Sequence, residues 1–203
     1  MKVIFLDIDG VMNSELFYKK RHAKRWLHFD TYYYWVKSKV EYVLNGFEYK
    51  SISLANYKIP EKHKQFKYLF NRLKKETDPI KWKWLIQLTE ETQLRICISS
   101  VWKNHFKTDL DWKFALMLLG FDEQTYCGRT PNFHVSGDDF HEKAERGHQI
   151  KKWIECNPVE DYVIIDDDSD MLSEQLSHFF HCDNYIGLTP TVCYKIKRYF
   201  LKK

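Results

Sequence analysis

Val3-Ile4-Phe5-Leu6-Asp7-Ile8-Asp9-Gly10-Val11 decides the fold. Its four leading apolar residues read as a short strand buried on both faces, as in a parallel sheet. Two aspartates one residue apart follow, then a glycine. Both carboxylates therefore sit at the strand's carboxyl edge, where open α/β sheets bind ligands. Gly10 allows a sharp turn after the acids. The plainer alternative is a strand ending in an ordinary acidic turn, since Asp and Gly are common turn residues.

Two more apolar runs end in polar chemistry. Leu94-Arg95-Ile96-Cys97-Ile98 reads as a second buried strand and runs into Ser99-Ser100-Val101-Trp102. A hydroxyl and free backbone amides at a strand end suit phosphate oxygens, although such serines also cap helices. Tyr162-Val163-Ile164-Ile165 reads as a third strand, followed by Asp166-Asp167-Asp168-Ser169-Asp170. Carboxylates about 4 Å apart repel by about 4 kcal/mol per pair at an effective dielectric of about 20. A cation removes that cost, and an all-oxygen acidic site suits Mg²⁺.

Helices fill the intervals. Asp78-Pro79 starts one that runs to about Thr92, with Trp84, Leu85 and Leu88 on one face. Trp112 to Leu119 reads as another, closed by Gly120. Gly128-Arg129-Thr130-Pro131 reads as a loop. Arg146-Gly147 opens a helix carrying Ile150, Trp153 and Ile154 on one face, stopped by Asn157-Pro158. A cation at a helix start is at the wrong end of the dipole, which favours a functional Arg146 over a merely exposed one. Phe179-Phe180 suggests a core strand. Gly187-Leu188-Thr189-Pro190 starts a last helix bearing Val192, Ile196, Tyr199 and Phe200. His134, His141 and His148 have no familiar metal-site spacing.

With 203 residues and 44% hydrophobic composition, one domain with a sizeable insertion is expected. No apolar run is long enough to span a membrane. Met1 leads straight into the first strand, leaving no room for a signal peptide. The five cysteines include no CxxC pair, which disfavours a disulfide framework or zinc site and fits a cytoplasmic setting.

The insertion is residues 14–78, between a core of 1–13 and 79–203. It holds 15 Lys/Arg against 7 Asp/Glu, a net +8, and 15 aromatic residues. The whole chain carries +4, so the remainder carries −4. Phe66, Leu69, Phe70 and Leu73 have helical spacing, with Pro60-Glu61 as the start. Interleaved cations and rings, as in Tyr32-Tyr33-Tyr34-Trp35 and its basic neighbours, suit single-stranded nucleic acid. The same composition also suits a small helical cap with its own aromatic core and solvated lysines.

Taken together, the motifs resemble the haloacid dehalogenase (HAD) superfamily of phosphohydrolases. The closest branch is the HAD domain of Swiss-Army-knife RNA repair proteins. The resemblance rests on the apolar strand with Asp-x-Asp-Gly, Ser-Ser-x-Trp, the Arg-Gly helix start, the strand with Asp-Asp, and Gly-Leu-Thr. It covers roughly residues 1–14 and 78–200. It implies a Rossmann-like α/β fold, a parallel sheet flanked by helices, with 14–78 in the position of a C1-type cap.

By that resemblance Asp7 is the nucleophile and Asp9 the general acid/base. Ser99 and Arg146 bind phosphate, with Lys143 as the alternative cation. Mg²⁺ is held by Asp7, the Asp9 backbone carbonyl and Asp167, with Asp166 supporting from behind. Asp168 leaves the register of that last pair open, and Asp170 reads as structural. Lys103 stands where the branch carries Arg; it offers a point charge rather than a planar fork, and no role is assigned to it.

The expected activity is Mg²⁺-dependent hydrolysis of phosphomonoesters through an aspartyl-phosphate. The expected substrates are nucleic-acid ends, with single-stranded nucleic acid held by the insertion. A mononucleotide phosphatase is the alternative, and a nucleic-acid-binding protein with a vestigial site is a third. No GxxxxGK[ST] kinase loop is present.

Overall fold

The strand β1 (Lys2–Leu6) is the centre of the molecule, and Val3 to Leu6 have no exposure at all. The computed structural model describes residues 1–22, 64–132 and 145–201. After β1 come α1 (Glu15–His22), α2 (Lys64–Glu76), α3 (Pro79–Thr92) and β2 (Arg95–Ile98). A 3-10 turn at Val101–Asn104, α4 (Asp109–Leu119), β3 (Tyr126–Arg129) and α5 (Glu145–Glu155) follow. The chain continues with β4 (Asp161–Asp166), a second 3-10 turn (Ser173–His178), β5 (Phe179–His181) and α6 (Pro190–Leu201).

The five strands form one parallel sheet in the order β3-β2-β1-β4-β5. Successive side chains of a strand face opposite ways, and the core divides accordingly. Ile4 and Leu6 of β1, Ile96 and Ile98 of β2, and Val163 and Ile165 of β4 share one cluster with Leu73, Leu85, Leu88, Trp112 and Ile196 from α2, α3, α4 and α6. Val3, Phe5, Cys97 and Ile164 face the other way, onto Ile150 and Trp153 of α5 and onto Met171. The Phe5 and Trp153 rings meet edge-on at 5.4 Å. The expected α/β architecture, a parallel sheet with helices on both faces, is therefore the observed one.

Local chemistry sets the helix ends. The Asp78 side chain accepts the Ile80 amide, and Pro79 occupies the first turn of α3. Thr108 and Asp111 form a reciprocal capping box on α4, and Gly120 closes it at φ 111°. The amide of Asp78 donates to the Met12 carbonyl at 2.8 Å, so the two ends of the 14–78 segment lie side by side.

Two expectations are corrected. Gly128 and Arg129 are not loop but part of β3, an edge strand in the register Cys97↔Gly128 and Ile98↔Arg129. Tyr-Cys-Gly-Arg has no apolar run because the strand is only half-buried along its length. Phe179-Phe180 is a strand, but at the opposite edge, half-buried rather than in the core. The Pro60-Glu61 start, the Tyr32–Trp35 run, His134, His141 and Lys143 lie outside the described residues. Among the described residues no helix is long and apolar enough to cross a membrane.

Candidate active site

Because β1, β2 and β4 are parallel neighbours, their carboxyl ends open at one edge. The ladder continues one residue beyond β1: the Asp7 amide donates to the Ile165 carbonyl at 3.0 Å, and the Ser99 amide to the Leu6 carbonyl at 2.9 Å. Asp7, Ser99 and Asp166 thus share that edge, and all three are buried.

Asp7, Asp166 and Asp167 each bring one carboxylate oxygen within 4.8 Å of the others. Arg146 enters from the first turn of α5. Its Nη1 donates to Asp7 Oδ1 at 2.7 Å and to the Ser99 carbonyl, and its Nε lies 3.5 Å from Asp166 Oδ2. Burial raises the Asp7 pKa, against the pull of Arg146. Burial and the Asp7 charge raise Asp166, and burial raises Asp167. One guanidinium does not neutralise three carboxylates.

The residues present fit a hard divalent cation. The donor set is all oxygen, which suits Mg²⁺. Asp166 Oδ2 is buried without a hydrogen-bond partner, as is the Ser99 hydroxyl. Gly10, at φ 66°, makes the close approach possible: a Cβ there would lie 2.1 Å from Asp167 Oδ2.

Asp9 stands apart from the three clustered carboxylates. Its Oδ1 accepts the Asn13 amide nitrogen at 2.7 Å and the Trp102 indole N–H at 2.8 Å. Its backbone carbonyl accepts the Val11 amide at 2.7 Å. Asp168 is exposed and its carboxylate accepts the Ser169 amide, so it turns away from the cluster. Asp170 accepts the Arg146 amide at 3.2 Å and so caps α5 from outside.

Several residues were not legible as site residues. Ser100 caps the 3-10 turn by accepting the Trp102 amide, and its side chain draws the Asp7 pKa down against the effect of burial. Lys103 is buried, and its ammonium reaches the Thr130 hydroxyl at 3.1 Å, the Pro131 carbonyl at 3.0 Å and Gln149. Burial, and then the nearby Arg146 charge, lower its pKa to about 8. Lys81, also buried and lowered to about 8 by burial, donates to the Val11 carbonyl and the Ser14 hydroxyl and so pins the turn after Gly10. Asn13 stands four residues after Asp9, a short spacing visible in the sequence, whereas Lys81 is hidden in the helix α3. Beside Arg146 a cleft of about 430 Å³ opens between Ser100, Lys103, Asn104, Gln149 and Asp170. His148 takes no part in the carboxylate group, which is the one potential metal cluster among the described residues.

A parallel sheet with Asp-x-Asp after its central strand, Ser-Ser after the next and an acidic pair opposite defines a HAD-type α/β protein. The chain belongs to the family described as the HAD domain in Swiss Army Knife RNA repair proteins, whose model matches residues 3–192. That match brackets the 14–78 segment. No curated protein and no solved structure matches the chain.

Proposed function

We propose that this protein is a Mg²⁺-dependent phosphomonoesterase acting on nucleic-acid ends through an aspartyl-phosphate on Asp7. The observation that carries the reading is the convergence of Asp7, Arg146, Asp166 and Asp167 on one sheet edge, in a chain of this family.

An Asp7 oxygen attacks phosphorus, and the ester P–O bond breaks. The leaving oxygen takes a proton from Asp9. Asp9, now ionised, takes a proton from water, whose oxygen attacks the same phosphorus. The bond to Asp7 breaks and inorganic phosphate leaves. Arg146 and the unpartnered Ser99 hydroxyl hold phosphoryl oxygens as charge builds. Mg²⁺, held by Asp7, Asp167 and the Asp9 carbonyl with Asp166 behind, would supply the positive charge that lets a carboxylate approach a phosphate dianion. Residues 14–78 form the cap, and their basic and aromatic composition supports a strand-binding role.

The test is phosphate release from 3′- and 5′-phosphorylated oligonucleotides and the matching mononucleotides, with Mg²⁺ and with chelator. Oligonucleotide ends should be hydrolysed, and Asp7→Asn should lower kcat by about 10³-fold or more while strand binding persists. Preference for mononucleotides would make the protein a nucleotidase. Binding without release from any substrate would leave a vestigial site.

A further inference from the structure

We infer that Trp102 is a positioning residue for Asp9, fixing which carboxylate oxygen carries the transferred proton; this rests on the phosphatase reading above. Both hydrogen bonds to the Asp9 carboxylate, from Trp102 and Asn13, fall on Oδ1, and no described residue hydrogen-bonds Oδ2. An indole N–H and an amide NH₂ are donors. An oxygen that already receives two such bonds is a poor place for a proton, so a neutral Asp9 carries it on Oδ2. The proton donor is thereby aimed by residues outside the catalytic set.

The indole is itself rigidly set, as precise aim requires. It is 8% exposed. The His105 ring lies 4.8 Å from it and the Arg72 guanidinium of α2 lies 5.7 Å from its ring centre. Its backbone amide is held by Ser100. The turn that carries it is pinned at the Lys103 carbonyl by the Trp112 indole at 3.1 Å and by Arg129 at 2.8 Å. Arg129 also holds the Phe106 carbonyl at 2.9 Å. The edge strand β3 thus steadies the residue that orients Asp9. Through Arg72, the returning end of the 14–78 segment touches the same indole.

Leaving-group chemistry separates positioning from mere structure. An alkyl phosphate needs its leaving oxygen protonated, whereas p-nitrophenolate departs without help. Trp102→Phe keeps the ring and deletes the N–H. It should lower kcat/KM for a nucleoside phosphate by about 10²-fold, mainly through kcat, and change kcat/KM for p-nitrophenyl phosphate by less than about threefold. Equal losses on both substrates, or none on either, overturn the inference. Should Trp102→Phe not fold, Asn13→Ala, which removes the other donor to Oδ1, is measured with the same substrate pair. In parallel, the Trp102 indole N–H resonance, assigned through its contacts with His105 and Arg72, should move in Asp9→Asn; an unmoved signal also overturns the inference. If the wild type releases no phosphate from any ester, the phosphatase reading fails, and the indole signal still decides whether Trp102 holds Asp9.

Discussion

Asp7 and Asp166 are held above the ordinary carboxylate value of 3.8, chiefly by burial, with Asp7 reaching about 7 and Asp166 about 8. Their ionised forms are therefore at odds with the buried surroundings until positive charge arrives. The conflict has a measurable consequence. Between pH 4 and about 8 the unfolded chain has released protons that the folded protein still holds, so stability falls as pH rises through that window. It levels off above the folded values. In chelator, the wild-type Tm should therefore fall from pH 5 to pH 8 more steeply than that of Asp166→Asn, which lacks one of the opposed charges. Mg²⁺, by favouring the ionised forms, should flatten the wild-type profile and raise Tm most at pH 8. A chelated wild-type Tm that rises with pH relative to Asp166→Asn would contradict the buried-acid account.

At the scale of elements, α2 shows how the 14–78 segment joins the sheet. Phe70 and Leu73 are buried in the same cluster as Ile4 and Leu85, although they belong to a stretch that the sequence sets apart. Leu73→Ala should cost about 2–5 kcal/mol and lower the midpoint of a single denaturation transition. A separate early transition, with the core midpoint unmoved, would instead mark α2 as an independent lid. The helix was legible because its apolar spacing is regular, and β1, β2 and β4 because strands buried on both faces read as apolar runs. β3 was not: Tyr126–Arg129 is half-buried, interrupted by Gly128, and lies at an edge where pairing with one neighbour suffices. Asp7, Ser99, Arg146, Asp166 and Asp167, which the fold brings to one sheet edge, were legible as a group because each stands at a strand or helix end. Asn13, Ser100 and Lys81 act through bonds to neighbours that only the folded chain brings near. Trp102 was visible as a motif letter without a task.

Over the whole molecule, charge is divided between the acidic sheet edge and the basic 14–78 segment. Residues 14–78 carry a net +8 and the rest −4, and a basic stretch attracts the polyanions that acids alone would repel. The described part of that segment presents its cations openly: Lys64, Lys67, Arg72, Lys74 and Lys75 of α2 are all exposed, and Tyr68 beside them is 67% exposed. A strand held there by several phosphates would release several counterions, whereas a mononucleotide has one phosphate to offer. Raising salt from about 50 to about 200 mM should thus raise KM about threefold for a nucleoside monophosphate. For an end-phosphorylated oligonucleotide held through three phosphates the rise should be about 20-fold. Neutralising Lys67 and Lys74 together should flatten the oligonucleotide slope and leave kcat unchanged, since neither residue touches the acid cluster. Equal salt slopes for the two substrates would remove the clamp and leave the segment only a lid, with selectivity decided at the cleft beside Arg146.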